Sequence, residues 1–332
     1  MGDPPKFDAL IDPAALARWM DDQDLAPGAT LGVTPLPAGT SNAMFVVERG
    51  GARFVLRRPA LVAAPRAEDG LVREFRILEA LDGSAVPHPS AVALCEDRSV
   101  LGATFMLMEH VDGVNPMPPL DPTIDSPLAR EQIAFAMVAA LAAIHDFDWS
   151  GRGLADLGRP IGFHERQVAR WTAQLASYDG GTMIGIDRVA TWLEQQLPIV
   201  FEPTLMHGDF HMFNVLIAAA APHEVVAVVD WETATIGDPL LDLAGFCEIW
   251  CPIAGEGWPD REALVARYRQ LRGLPPLGDL RYYDVLYNFR MAVLLEGIHQ
   301  RSLRDPSRPA MVAIGDRAIV NLHRALAVID GG

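Results

Sequence analysis

The stretch MHGDFHMFNVLI, residues 206–217, constrains this chain more than any other, because it sets His207, Asp209 and Asn214 among apolar residues. Shortly after it, the run VVAVV leads straight into Asp230 within VVAVVDWETATIGDP. A short, mostly β-branched run of this kind reads as a buried strand, so Asp230 stands at a strand end. In phosphoryl transfer to a hydroxyl, a protein orients the attacking oxygen, accepts its proton and neutralises the phosphates with a divalent cation. Asp209 suits the first two tasks. Asn214 offers a neutral carbonyl oxygen to a hard cation that keeps some of its waters, and Asp230 could bridge that cation to the phosphates. Any one of these residues alone fits a turn hydrogen bond or a strand cap. The ordered set does not. His207 reads as a second base or, better, as a brace that holds the loop through backbone hydrogen bonds. His211 reads equally as a substrate contact and as an exposed loop histidine.

The surroundings of these motifs predict two lobes. DPAALARWM opens a helix with Asp12 as N-cap and Pro13 at the first helical position. LGVTPLPAGTSNAMFVVER and ARFVLRRP read as strands joined through Gly50-Gly51, a hairpin turn. EDGLVREFRILEALDG places Leu71, Phe75, Leu78 and Leu81 at helical spacing, and AVALCED and TFMLMEHV supply further strands. VDGVNPMPPLDPTIDSP, rich in Pro, Asp and Gly, marks a boundary. Beyond it REQIAFAMVAALAAIHDF sets Ile133, Met137, Leu141 and Ile144 on one face of a long helix, and most of the remainder is helical. The expected division is a sheet-rich lobe over residues 1–110, ending at a hinge, and a larger helical lobe over 111–332.

Composition narrows the partners. Among 332 residues, 43 Asp and Glu against 27 Lys and Arg leave a formal charge of −16, which argues against a nucleic-acid-binding surface. The three cysteines, Cys95, Cys247 and Cys251, are too few for a disulfide framework and read as buried apolar thiols in a reducing compartment. The N-terminal MGDPPKFDAL has no signal-peptide pattern, and the run IAFAMVAALAAI is shorter than a membrane span. The expectation is a cytoplasmic protein, a monomer or homodimer, with no nucleic-acid or membrane partner.

In order along the chain, PAGTSNAMFVV, FVLRRP, REFRILEAL, FMLMEHVDG, HGDFHMFN and VVDWETATIGDPLLDLA resemble the aminoglycoside phosphotransferase and choline kinase-like enzymes. That resemblance implies an α+β, bilobal protein-kinase-like fold, with ATP and Mg2+ as cofactors. It makes Asp209 the catalytic base and Asn214 and Asp230 the magnesium ligands. PAGTSN would cover the phosphates through Thr40, Ser41 and Asn42, although it carries the single Gly39 where protein kinases have several. Adenine would pair with the backbone of Glu109 and Val111. Glu74 would pair with the basic residue of the third strand, where Arg57 stands in place of the usual Lys. Arg57 and Arg58 point to opposite faces of a strand, so only one reaches the cleft. The LRRP wording resembles the branch of kinase-like domains attached to acyl-CoA dehydrogenases. Trp231 and Glu232 follow the metal-binding Asp where protein kinases carry Phe-Gly, which suggests a site without their mobile activation switch. Asp238 and Asp242 read as a helix N-cap and a first-turn acid.

The expected reaction is Mg-ATP-dependent transfer of the γ-phosphate to a hydroxyl of a small molecule. The acceptor is open between an amino sugar or amino alcohol and a hydroxyacyl-CoA. His164, Arg166, Arg170, Glu248 and Trp250 are the candidate acceptor contacts. The alternative is a catalytically retired, nucleotide-binding regulatory protein, against which the intact Asp209, Asn214 and Asp230 speak.

Overall fold

The computed structural model describes residues 10–36, 42–60, 67–178, 183–303 and 314–331. In chain order its elements are α1 (Pro13–Asp22), β1 (Leu31–Leu36), β2 (Asn42–Arg49), β3 (Ala52–Pro59), α2 (Ala67–Leu81), β4 (Ala91–Cys95), α3 (Arg98–Leu101) and β5 (Phe105–Glu109). There follow α4 (Pro127–Asp146), α5 (Glu165–Ala176), α6 (Ile186–Gln195), β6 (Thr204–Met206), β7 (Val215–Ile217), β8 (Val225–Val228) and β9 (Thr235–Gly237). The chain closes with α7 (Pro239–Ala254), α8 (Arg261–Leu271), α9 (Arg281–Leu303) and α10 (Ile314–Gly331). It divides into two compact units. The first comprises Met1–Pro116, Asp148–Leu154 and Asn214–Thr233, and the second Met117–Phe147, Ala155–Phe213 and Ala234–Gly332.

The first unit is built on an antiparallel five-stranded sheet in the order β1-β2-β3-β5-β4. Gly50 and Gly51 close the β2–β3 hairpin, both at positive φ, with Arg49 opposite Ala52. Two consecutive left-handed residues match the twist of the flanking strands, which Gly reaches without steric penalty. Side chains alternate across β3. Leu56 faces a core shared with Leu16, Met20, Phe45 and Phe105, and Arg58 on that face donates to the carbonyls of Leu10 and Leu101. The other face meets α2. There Leu71, Phe75, Leu78 and Leu81 are buried as their spacing predicts. Four such side chains contribute roughly 1.5–3 kcal/mol each, which outweighs the ~1 kcal/mol helix penalty of Gly70. A separate two-stranded ribbon, β7–β8, belongs to the same unit.

The second unit is helical. Ile133, Met137, Leu141 and Ile144 of α4 are all fully buried, and α4 packs against α8 and β6. Asp12, Ser126, Asp238 and Asp260 each cap a helix through the side chain. The 20-residue α4 is longer than the apolar run that marks it. Among the described residues it alone is long and apolar enough to cross a membrane by length and composition, with half of its apolar window buried in the fold. That corrects the shorter estimate from sequence. A second correction concerns the thiols: Cys95 and Cys247 are buried, but Cys251 is exposed.

Candidate active site

The candidate residues fall into two groups, one in each unit. In the first, Arg57 Nη1 donates to Glu74 Oε1 at 2.9 Å, while Nη2 donates to Asp230 Oδ1 at 2.7 Å and to Glu232 Oε2 at 3.0 Å. One buried guanidinium therefore gathers three carboxylates. Burial opposes its charge, but Glu74, Asp230 and Glu232 more than offset that and raise its ionisation above arginine's ordinary value. Burial pushes the Glu74 carboxyl up to about 7, reinforced by the charges of Asp230 and Glu232 and opposed by Arg57. Arg58 is turned to backbone carbonyls on the opposite face, so Arg57 is the arginine that meets Glu74.

Asn214 and Asp230 are brought to one end of the β7–β8 ribbon. Val215 pairs with Val228, and Val229 N–H donates to Asn214 O at 2.9 Å, which carries the ladder one step further. Asp230 then turns with φ +69°. A non-glycine residue held left-handed stores about 1–3 kcal/mol of backbone strain, a state that collects at functional sites. Trp231 anchors the turn. Its N–H donates to Glu74 Oε1 at 3.3 Å and its Nε1–H to Val228 O at 2.9 Å. Asn42 Nδ2 donates to Glu232 Oε2 at 3.2 Å. Gly39, Thr40 and Ser41 lie outside the described residues. At the end of β5, Glu109 N–H donates to Ser90 O at 2.9 Å, and its carboxylate accepts from Ser90 Oγ–H at 2.9 Å. The backbone of Glu109 can thus serve adenine only through its carbonyl.

The second group is the loop after β6. Gly208 takes φ +81°, which glycine adopts freely, and its N–H together with that of His207 points at Asp242 in the first turn of α7. His207 N–H donates to Asp242 Oδ2 at 2.7 Å, and Gly208 N–H to Oδ1 at 3.0 Å. Burial opposes Asp242's ionisation, but the bond and charge of His145, the charge of His207 and the Gly208 amide hold its carboxyl below the usual range. His207 is fully buried, and its Nδ1 accepts from Asp209 N–H at 3.3 Å. Asp209 Oδ2 lies 3.4 Å from His211 Nε2. Burial works against Asp209's charge, yet His211, Arg290 and His207 lower its ionisation below the usual carboxylate range. Its carboxylate is ionised at neutral pH. Arg290 Nη2 donates to Gly208 O at 2.7 Å, beside it.

The acceptor candidates fare unevenly. His164 is buried among Phe163, Phe201, Tyr282 and Tyr283, with Nε2 2.9 Å from Asp238 Oδ2. Trp250 is also buried, against Phe246 and Trp258. Arg166 donates to the carbonyls of Ile161 and Arg159. These three are committed to packing or to holding a loop. Glu248 is bonded to Asn288 at 2.8 Å and to Arg261 at 3.4 Å, whereas Arg170 is exposed.

Asn214 and Asp230 offer hard oxygen donors with the Glu232 carboxylate close by, and this chemistry fits magnesium. Among the described residues no group of three or more His, Cys, Asp or Glu could hold a metal. A cation carried by two side-chain oxygens, with phosphates and water completing its shell, is the usual arrangement for Mg2+. Three residues escape sequence reasoning in these roles: Glu232, Asp242 as the brace of the loop, and Arg290. The last had a signal, since it is a lone cation in the apolar helical stretch VLYNFRMAVLL.

A five-stranded antiparallel sheet unit with one long helix, a helical unit and this pair of motifs define a kinase-like phosphotransferase. Residues 32–280 match the phosphotransferase enzyme family APH, and the chain belongs to that family. It is 34% identical over 280 residues to mouse acyl-CoA dehydrogenase family member 10, covering 80% of this chain and 26% of that protein. It is 32% identical over 315 residues to human acyl-CoA dehydrogenase family member 11, covering 90% of this chain and 40% of that protein. The chain therefore spans well under half of these curated relatives. A crystal structure from Ralstonia eutropha, provisionally named an aminoglycoside phosphotransferase, superposes with TM-score 0.82 at 30% identity, covering 96% of this chain and 98% of that one. The GDP and kanamycin complex of APH(2")-IIIa superposes with TM-score 0.67 at 18% identity over 94% and 98%, a likeness of fold alone.

Proposed function

We propose that the protein transfers the γ-phosphate of ATP, with magnesium, to a hydroxyl of a small molecule, and that this molecule is a hydroxyacyl-CoA. The observation that carries the reading is the Arg57 cluster, which holds a guanidinium and the Asp230 carboxylate together at the end of the β7–β8 ribbon where Asn214 also lies. Arg57 would grip the α- and β-phosphates bidentately, and Asn42 would donate to a phosphate oxygen. Glu232 accepts from both donors, so nucleotide phosphates compete with its carboxylate. Magnesium held by Asn214 and Asp230 would neutralise phosphate charge. Asp209 would orient the acceptor hydroxyl and take its proton as the oxygen–phosphorus bond forms and ADP leaves. Asp242 fixes the Asp209 loop through two amides, so the base is positioned before substrate arrives.

The acyl-CoA acceptor is supported by the relatives in which matching segments form part of acyl-CoA dehydrogenase family members. A hydroxyl on the acyl chain gives such a carrier something to phosphorylate. The test is ADP release from Mg-ATP with hydroxyacyl-CoA thioesters, amino sugars and amino alcohols, alongside Asp209→Asn. Release with the thioester that disappears in the variant supports the reading. Release with amino sugars alone refutes the acceptor, and nucleotide binding with no release on any acceptor favours a regulatory role.

A further inference from the structure

Two histidines of the loop after β6 make the same local bond. The Asp209 N–H donates to His207 Nδ1 at 3.3 Å, and the Phe213 N–H donates to His211 Nδ1 at 3.2 Å. An imidazole nitrogen that accepts an amide hydrogen carries none of its own, so the neutral ring bears its hydrogen on Nε2. For His211 that places a donor 3.4 Å from Asp209 Oδ2. The ring is also packed, with the Phe213 ring edge-on to it at 5.4 Å between centroids. It is sheltered too: the His211 side chain is 14% exposed, against 35% for Asp209. His211 is therefore no solvated loop histidine.

A carboxylate that serves as base needs such a neighbour. The last torsion of an aspartate is a broad rotor without a sharply preferred angle, so fixing its backbone leaves the direction of its two oxygens open. Transfer to a hydroxyl asks for one direction, because the attacking oxygen must stand in line with phosphorus while its proton faces the base. His207 pins the Asp209 amide, and Asp242 and Arg290 pin the amide and the carbonyl of Gly208 before it. These bonds fix the main chain and leave the carboxylate's rotation to a donor at its own oxygens. The His211 Nε2–H stands at one of them. At 3.4 Å the separation is long for N–H···O, as catalytic hydrogen bonds often are before substrate is bound.

We propose that His211 is a positioning residue: with its hydrogen on Nε2, it holds the Asp209 carboxylate in the rotation that meets the acceptor hydroxyl. This rests on the phosphotransferase reading of Asp209. The bond from Phe213 sets the ring's orientation and its tautomer together, so the donor is in place before nucleotide or acceptor arrives. The acceptor's proton passes to Asp209, and His211 neither gives nor takes one. A donor at Oδ2 also favours the ionised carboxylate. His207, with Arg290 and Tyr287 of α9, faces the same carboxylate.

Long-range proton–nitrogen NMR correlation of the full chain, at mildly alkaline pH where imidazole is neutral, reads the His211 tautomer. The expected result is hydrogen on Nε2, and hydrogen on Nδ1 overturns the proposal. His211→Leu removes the donor, whereas His211→Gln keeps an N–H near the place of Nε2. The Asp209 titration midpoint, followed by carboxyl-carbon NMR, should rise by about one pH unit in His211→Leu and stay close to wild type in His211→Gln. In ADP release from Mg-ATP with 3-hydroxybutyryl-CoA, His211→Leu should lower kcat about tenfold with KM and nucleotide Kd unchanged. His211→Gln should recover most of that loss. A residue that contacts substrate would instead raise KM at constant kcat. That result, or an Asp209 midpoint unmoved in His211→Leu, overturns the proposal. Circular dichroism checks the fold of both variants, and the tautomer is read on the wild-type chain whether or not they fold. Absence of ADP release on every acceptor sinks the phosphotransferase reading. The tautomer and the midpoint are read on the resting protein and decide the His211 bond by themselves.

Discussion

Arg57 holds the most consequential position at the residue scale, because Glu74 is buried against it. Removing the guanidinium in Arg57→Ala leaves an uncompensated buried carboxyl and should cost about 3–5 kcal/mol, read as a lowered denaturant midpoint. The double variant Arg57→Met, Glu74→Leu should recover much of that stability while remaining inactive, which separates the fold's need for the pair from the chemistry's. Glu232→Gln should act in the opposite sense on binding. It removes a charge that competes for Arg57 and Asn42, so nucleotide affinity measured without acceptor should rise severalfold. Asp209→Asn should lower turnover by about a thousandfold or more with nucleotide affinity retained. Because its neighbours hold the Asp209 carboxyl below the usual range, the base stays ionised as pH falls from 7 to 5. A pH–rate profile should then show no acid limb in that window from this group. A limb there that persists in Glu74→Gln, which removes a carboxyl titrating at about 7, would reassign the base.

The elements explain which of these roles the sequence displayed. The Gly50-Gly51 turn, the α2 stripe from Leu71 to Leu81 and the α4 stripe from Ile133 to Ile144 follow local periodicity, and local periodicity is what a single sequence records. His207, Asp209, Asn214 and Asp230 could be singled out as candidates because the loop and strand end that carry them are close in sequence. Asp242 was visible only as a helix-start acid, since its partners His207 and Gly208 lie 35 and 34 residues away. Arg290 is 82 residues from Gly208. His164 and Trp250 misled for the complementary reason: polar or aromatic character does not reveal burial until the helices pack. Helix α7 also holds Glu248, which with Asp284 of α9 clamps Arg261 of α8. Burial pushes the Asp284 carboxyl up to about 6, with Glu248 adding to the rise against Arg261. A carboxyl whose folded value is raised stabilises the fold most in its protonated form. Stability from this group is full below pH ~4 and is lost as pH rises through about 6, by up to about 3 kcal/mol. Chemical denaturation of wild type and Asp284→Asn from pH 4 to 7 should show that difference growing across the window and flat above it.

At the scale of the whole molecule, ligand binding and stability are linked. If Mg·AMP-PNP binds the folded chain alone, nucleotide at about a hundred times its Kd should add about 2.7 kcal/mol of stability, and a thermal scan reads this as a raised Tm. Asp230→Ala should abolish the magnesium-dependent part of that rise. The way the backbone is shared between the two units carries a consequence for engineering and for descent. Residues 214–233 join the first unit, although the segments on either side of them pair as β6 and β9 in the second. A chimaera made by exchanging residues 1–116 between two members of this family would therefore import the sheet and Arg57 but retain the recipient's Asn214, Asp230 and Glu232. The imported arginine would meet carboxylates selected alongside a different partner, so recombination with a single crossover breaks the charge cluster, and a functional graft needs a second pair of breakpoints around the ribbon.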